Sequence, residues 1–218
     1  MRQSLRSRGP QFHGARLHED QRPTSLESLS YYDGAERGAR GAINVQFLFN
    51  QYPLEDMPRH NLWGAAMARR DKERFGHWLA ISCATEMQPK STSRVTLDRT
   101  KTDMFGDPVP HIHLEFDEVD RPTQRRADAI GAELLSAVGA RDIEQPGPSG
   151  YFFAAHHMGT CRMSDDPNKG VVDRNLSVHG LSNLFVAGSS VFPTSGALQP
   201  TLTIAALSLR RAAHLVKA

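Results

Sequence analysis

The alternation of apolar and polar residues predicts several short strands in the middle of the chain. Residues 42–50 carry apolar side chains at the odd-numbered positions, while Asn44 and Gln46 lie between them, which predicts a half-buried strand. Glycine and proline at 103–110 predict a turn. Because the strands follow one another through short connections, the pattern favours antiparallel pairing. Further strands are predicted at 78–85, 94–98 and 111–116.

Helical spacing appears twice in the same region, at 61–75 and at 123–138. The second segment is the stronger prediction, because its apolar residues form one stripe and Gly139 stands where a C-cap belongs. The predicted fold class is therefore α+β, an antiparallel sheet backed by helices. The stripe consists of Ala127, Ile130, Leu134, Leu135 and Val138.

The C-terminal part has a different character. Residues 156–203 combine histidine, glycine and proline with short apolar pieces, which is typical of a tightly folded backbone whose special conformations are fixed by glycine and whose rigid turns are fixed by proline. Short strand-like pieces are predicted at 170–173 and 184–187, the second of them a buried strand, and a closing helix is predicted from Pro200 to about Val216. The chain thus divides into a tail or extended loop over 1–41, one domain over 42–150 and a distinct segment over 151–218.

Composition excludes several classes of protein. The formal net charge of +2 is too small to indicate binding of nucleic acid or an anionic membrane, and there is no apolar run near the ~20 residues of a membrane span. Cys83 and Cys161 stand apart, without the spacing of a zinc ribbon or a disulfide framework. The Arg- and Ser-rich start is compatible with a transit peptide or with a basic tail.

Three features carry candidate chemistry. His156 could accept a proton near neutral pH, or it could be a structural histidine in a turn. Gly188 and Ser189 follow an apolar stretch and could contact a bulky cofactor, or form an ordinary tight turn. Pro200 opens the last helix, whose free N–H groups favour an anion, although the helix could equally serve only for packing.

One strand face raises the question of a metal. His111, His113 and Glu115 alternate along the strand predicted at 111–116 and would share a face. They could be metal ligands, but such a face is more often simply solvated. No metal is therefore predicted.

The order of motifs over the C-terminal part resembles that of the glucose–methanol–choline (GMC) flavoprotein oxidoreductases. The substrate-domain strands of the family resemble the segments around Arg94–Leu97 and Gly106–Pro110, so the resemblance covers roughly residues 31–218. The motifs are His156-x-x-Gly159-Thr160-x-Arg162-Met163, Asp166-Pro167, Gly170-Val171-Val172-Asp173, Val178-His179-Gly180, Asn183-Leu184-Phe185-Val186, Ser190-Val191-Phe192-Pro193-Thr194 and Pro200-Thr201-Leu202-Thr203-Ile204.

The resemblance implies an FAD-dependent enzyme that oxidises the CH–OH group of an alcohol or sugar. His156 matches the family's general base, while the carbon-bound hydrogen would pass as hydride to flavin N5. Gln199 occupies a position where the family usually has His or Asn, and its amide can orient a substrate oxygen but cannot accept its proton. The positions that would contact FAD are Gly188, Ser189, Pro200 and Thr201.

The family also begins with a strand, a GxGxxG motif and a helix that holds the FAD pyrophosphate, and this sequence contains no GxGxxG. We therefore expect the chain to be the C-terminal portion of a longer enzyme, from a split gene or a misplaced start. It would be inactive without the N-terminal FAD-binding portion, and its residues 151–218 would complete the FAD-binding α/β domain. The alternative is a non-enzymatic remnant or accessory subunit.

Overall fold

The structure is a computed structural model that describes residues 2–8, 26–48, 61–74, 78–144 and 156–216. These residues form strands, three α-helices and one 3-10 turn over Ser189–Val191. In chain order the elements are β1 (Arg2–Arg8), β2 (Leu26–Ser28), β3 (Ile43–Leu48), α1 (Gly64–Arg74), β4 (Trp78–Thr85), β5 (Arg94–Thr102), β6 (Pro108–His113), α2 (Asp120–Ala137), β7 (Arg141–Glu144) and α3 (Thr201–Val216).

The chain divides into two compact units. The first contains Met1–Thr85 and Pro122–Phe153, and the second contains Glu86–Arg121 and Ala154–Ala218. The predicted division at residues 42–150 and 151–218 concerns the domains of a complete enzyme and stays a prediction. Within this chain, the stretch 86–121 clusters with the C-terminal segment.

The first unit is built on a five-stranded antiparallel sheet with the order β2-β3-β4-β1-β7. In the centre of the sheet Val45 faces Cys83 and Ile43 faces Thr85 across the β3–β4 pair. Helix α2 covers one face, where apolar residues of sheet and helix form a single cluster. The α+β prediction is confirmed. The fully buried members of this cluster are Ile43, Val45, Ile81, Cys83, Ala127, Ile130 and Leu135.

Helix α2 is where the sequence prediction is closest to the structure. Ala127, Ile130 and Leu135 are buried as predicted, whereas Val138 lies just beyond the helix and is half exposed. Gly139 adopts φ 73° and closes the helix, because its N–H bonds to the Ser136 carbonyl (3.0 Å) and the following N–H reaches Leu135 (3.0 Å).

Two aspartates of the second unit fix the N-terminus of α2. The Asp117 carboxylate accepts hydrogen bonds from the N–H groups of Val119 (2.8 Å) and Asp120 (2.9 Å). In return, the Asp120 carboxylate accepts from the Asp117 N–H (3.1 Å) and from Gln88 N–H (2.9 Å). This reciprocal arrangement is a capping box, and it places the start of the helix three residues before the predicted one.

The second unit contains the β5–β6 hairpin, in which Val95 faces Ile112 and Leu97 faces Pro110. The predicted strand at 111–116 is shifted, since β6 runs from Pro108 to His113 and the turn is correspondingly shorter. Proline is tolerated there because β6 pairs on one side only. The alternating apolar residues of this hairpin, Ile112 among them, are exposed.

One prediction for the first unit is wrong, and three of its strands were not predicted. Asn44 and Gln46 are buried, so β3 is covered on both faces rather than half-buried. Arg2–Arg8 and Leu26–Ser28 are strands, although residues 1–41 were predicted to be a tail or loop. A strand is held by backbone bonds to its neighbours, here β4 and β7 for β1, and needs no apolar alternation of its own. Strand β7 was not predicted either.

The predicted strands at 170–173 and 184–187 are also wrong in form. The structure has single bridges there, between Met163 and Val172, Val172 and Val178, and Ser177 and Phe185. Each pairing ends after one residue because turns interrupt it. The closing helix is confirmed as α3. Within the described ranges, no helix is both long enough and apolar enough to cross a membrane.

Candidate active site

The C-terminal loop of the second unit, residues 156–191, folds around a small apolar core. Val172, Leu176 and Val191 are completely buried there, and α3 contributes Leu207 to the same cluster. Leu176 has φ 65°, an unfavourable value for a residue with a side chain, and it is held there with its side chain in the core. The core thus fixes the backbone shape of the whole loop.

The segment that begins at His156 runs beside the 3-10 turn in a ladder of hydrogen bonds. The donors are every second residue of the first segment, whereas the acceptors are consecutive residues of the turn. The N–H groups of Gly159, Cys161 and Met163 donate to the carbonyls of Ser189 (3.3 Å), Ser190 (2.9 Å) and Val191 (2.8 Å), respectively. The Ser189 hydroxyl adds one further step by donating to the His157 carbonyl at 2.6 Å.

His156 stands at the open end of this ladder and is half-buried, whereas the neighbouring His157 is exposed. Gly159 follows with φ 87°, and a Cβ at this residue would lie 3.3 Å from the Phe192 carbonyl. Both the conformation and the close approach favour glycine. The ladder therefore joins the segment that carries His156 to the turn that follows Gly188.

Gly188 precedes the 3-10 turn with φ 147° and ψ −178°, a conformation open essentially only to glycine. A Cβ built there would meet nothing within 4 Å. The backbone at this corner is therefore open on the side where a side chain would stand. The Phe192 N–H closes the turn on the Ser189 carbonyl (3.2 Å).

Helix α3 begins beside Gln199, which is exposed. Its first intrahelical bond runs from the Ile204 N–H to the Pro200 carbonyl (2.9 Å), so the N–H groups of Thr201, Leu202 and Thr203 have no intrahelical acceptor. These three residues are exposed. The helix start thus offers N–H donors and the positive end of the helix dipole.

Arginines attach α3 to the loop. Arg210 donates to the Arg174 carbonyl, and the Arg174 guanidinium pairs with the Asp165 carboxylate. The hydrogen bond from Arg174 lowers the pKa of Asp165. On the next position of the helix, the Arg211 guanidinium lies 3.7 Å from the centre of the Phe185 ring. No short sequence motif links these pairs, so they could not be predicted from the sequence.

The histidines of the hairpin show no metal-binding arrangement. Glu115 accepts a hydrogen bond from the Thr92 hydroxyl (2.5 Å), which lowers the pKa of Glu115. In the part of the chain that the structure describes, no three His, Cys, Asp or Glu side chains gather as metal ligands would. Another histidine, His179 in the C-terminal loop, forms a hydrogen bond from its Nε2 to the Ser164 carbonyl (2.9 Å).

All the predicted site residues lie in the second unit. The ladder joins the segment of His156 directly to Ser189, while Gly188 starts the turn. Gln199, Pro200 and Thr201 form the entry to α3. That the His156 imidazole faces the Gln199 corner across a flavin-sized gap stays a prediction.

Comparison with known proteins identifies the family. Residues 89–208, more than half of the chain, match the family described as GMC oxidoreductase. The chain belongs to the GMC oxidoreductases. The match is to the C-terminal portion of that family, and it includes both the β5–β6 hairpin and the loop that carries His156.

Oxidoreductases of known activity are about one third identical to this chain over the segments that align. The 2-methyl-1,2-propanediol dehydrogenase of Mycolicibacterium austroafricanum is 33% identical over 68% of this chain and 27% of its own length. The large subunit of fructose dehydrogenase from Gluconobacter japonicus is 32% identical over 69% and 27%. A C-glycoside 3-oxidase from Arthrobacter globiformis is 34% identical over 64% and 27%. The chain spans about a quarter of the length of these relatives.

A solved structure shares the fold of this chain. A formate oxidase of Aspergillus oryzae superposes with a TM-score of 0.54 and 21% sequence identity, over 81% of this chain and 32% of that one. This likeness concerns the fold.

Proposed function

We propose that this GMC chain forms the substrate-binding and catalytic part of an FAD-dependent oxidoreductase that oxidises the CH–OH group of an alcohol or sugar. The relatives named above support the substrate class, since a diol, fructose and a C-glycoside all carry such groups. In this proposal His156 is the general base that takes the hydroxyl proton. The observation that carries it is the ladder, which joins the His156 segment to the glycine corner at Gly188 within one unit.

The residues around this corner are suited to a flavin. Gly188 leaves the backbone open where a side chain would stand, and the first turn of α3 offers N–H donors from Thr201 onward. When bound, FAD would supply the acceptor, its N5, for the hydride that leaves the substrate carbon. The dipole of α3 would favour negative charge near Pro200 and Thr201.

Gln199 would position the substrate beside the base. Its side chain is exposed at the entry of α3 and carries both an amide donor and a carbonyl acceptor. It can therefore hold a substrate oxygen, while a carboxamide cannot take up a proton at neutral pH. This division assigns proton transfer to His156 alone.

The proposed activity requires an N-terminal FAD-binding portion, and the surface of α3 supports this. Leu202, Leu209 and Val216 are 86%, 72% and 88% exposed, although they recur every seven residues along one face. No residue of α3 is fully buried among the residues that the structure describes. An apolar helix face of this kind needs cover, and we propose that the FAD-binding portion provides it.

The alternative function is that of a non-enzymatic accessory chain. Titration of the purified 218-residue chain with FAD, followed by visible absorbance, separates the two. Binding that perturbs the flavin spectrum supports the enzyme, and a colourless chain that also fails to complement an FAD-binding portion supports the accessory role.

The test of the base uses the chain joined to the FAD-binding portion of a relative. We expect His156→Gln to reduce turnover by about 10²–10⁴-fold, the usual contribution of a general base. His214→Gln is the matched control, because this exposed histidine lies in the last turn of α3. Full turnover in the His156 variant would overturn the assignment.

A further inference from the structure

The Ser189 hydroxyl forms a hydrogen bond that the sequence did not indicate. Its one proton is donated to the His157 carbonyl at 2.6 Å, across 32 positions of sequence. A serine hydroxyl has a single donor, so this proton is engaged within the loop. The resemblance had assigned Ser189 to contact with the cofactor, whereas the hydrogen bond directs the hydroxyl towards the peptide that follows His157, one residue beyond His156.

This bond lies at the weak end of the ladder. The backbone bond closest to it, from the Gly159 N–H to the Ser189 carbonyl, is 3.3 Å long, whereas the next ones, from Cys161 and Met163, measure 2.9 and 2.8 Å. Hydrogen bonds weaken as they lengthen beyond about 3 Å. The short hydroxyl bond therefore reinforces the ladder where the backbone alone holds it least, immediately beside His156.

We propose that Ser189 is a positioning residue for His156, acting through the His157 carbonyl and not through the cofactor. By fixing the peptide after His157, the hydroxyl restricts the backbone next to His156 and with it where the imidazole can stand relative to the Gly188 corner. Proton transfer is sensitive to such placement, since a displacement of about 1 Å can reduce a rate by as much as 10²-fold. This inference rests on the proposed function of His156 as base.

The first test uses the 218-residue chain alone and measures hydrogen exchange of single amides by NMR. Ser189→Ala should speed exchange at Gly159 by about five- to tenfold, the effect of losing one hydrogen bond, and should leave Met163 within twofold. Ser189→Thr keeps a hydroxyl and should restore the original rate. Equal acceleration at Gly159 and Met163 would indicate general loosening and would overturn the proposal.

Ser190→Ala is the matched control for this measurement. It removes the neighbouring hydroxyl of the same turn, and that hydroxyl has no hydrogen bond within the ranges that the structure describes. We expect the exchange rate at Gly159 to stay within twofold of the original. A change as large as that in Ser189→Ala would show that the turn itself is sensitive to any substitution, which would also overturn the proposal.

The second test uses the chain joined to an FAD-binding portion. Ser189→Ala should lower kcat by about tenfold or more, with KM and the FAD dissociation constant each changed less than twofold, and Ser189→Thr should recover activity. If Ser189→Ala weakens FAD binding but leaves Gly159 exchange unchanged, Ser189 contacts the cofactor and the positioning role is wrong. If His156→Gln keeps full turnover, the proposed function fails, whatever the exchange measurement shows.

Discussion

Replacing Gly170 with alanine is expected to loosen the loop that carries His156 while the five-stranded sheet stays folded. A Cβ at Gly170 would lie 2.6 Å from the Ser164 Cβ, 2.7 Å from the Ser164 nitrogen and 2.8 Å from the Arg162 carbonyl oxygen. Favourable carbon contacts begin at about 3.5 Å, so the methyl group would overlap these atoms by roughly 0.5–1 Å. All three are backbone or Cβ atoms, and no side-chain rotation relieves the overlap.

The expected loss of stability follows from the two backbone segments that must separate to make room for the methyl group. Separating the two segments strains the bonds from the Val171 N–H to the Arg162 carbonyl and from the Ser164 N–H to the Val172 carbonyl, both 2.9 Å. Overpacking costs about 1–3 kcal/mol, and each weakened hydrogen bond adds about 0.5–1.5 kcal/mol. We therefore expect a loss of roughly 2–6 kcal/mol in the local free energy of opening. The lower value corresponds to about 30-fold faster exchange.

The assay is hydrogen exchange at the amides of Ser164 and Val171, compared with amides of β4. Both tryptophans of the chain belong to the first unit, so their fluorescence reports separately that the sheet remains folded. Gly180→Asn is the control, because Gly180 has φ 81° with open space around it and asparagine tolerates that conformation. Unchanged exchange in Gly170→Ala would refute the steric reasoning.

Three further predictions concern single side chains. Asp117→Ala should destabilise the start of α2 by about 1 kcal/mol. Because backbone N–H bonds lower the pKa of Asp117, this contribution is present at neutral pH and is lost as the pH falls below about 4. Urea unfolding should therefore show a difference in stability between the original chain and the variant at pH 7, and none in acid. Burial raises the pKa of Cys83 to about 12, so iodoacetamide at pH 8 should label Cys161 and reach Cys83 only after unfolding, as mass spectrometry would show. Asn44→Leu should stabilise the chain by about 1–3 kcal/mol in urea unfolding, because the buried amide atoms of Asn44 have no hydrogen-bond partner among the described residues. Gln46→Leu should instead destabilise the chain, because the Gln46 amide donates a hydrogen bond to the Glu27 carboxylate.

The sequence predicted those elements whose signal is local. Helix α2 has its apolar stripe and its C-capping Gly139 within one continuous segment, and α3 is announced by Pro200. Strands β1 and β7 were missed because what makes them strands is backbone pairing with each other and, for β1, with β4, about 80 positions away. A segment rich in arginine and serine, such as β1, has no alternation of apolar and polar residues that would reveal such pairing.

The site shows the same division between local and distant signals. The glycines at 159 and 188 were visible in the sequence, and their backbone conformations account for them. The bond from Ser189 to His157 was not visible, because a hydroxyl can bond to any carbonyl and only the fold brings this one near. Likewise, Asn44 and Gln46 were placed on an exposed face, since a single strand pattern does not show that a second layer covers it.

The loop around His156 is held mainly by backbone atoms, and this explains how the chain keeps its family likeness at about a third identity. Its ladder uses main-chain N–H and carbonyl groups, which every residue except proline offers equally. Side chains matter where a Cβ would collide, as at Gly170, or where a hydroxyl completes the ladder, as at Ser189. Under the proposed function, the proton acceptor therefore stands on a framework that this chain builds by itself, whereas the hydride acceptor depends on a portion that must cover the apolar face of α3. Loss of that cover should abolish oxidation without disturbing the ladder, so the two halves of the chemistry can be separated by experiment.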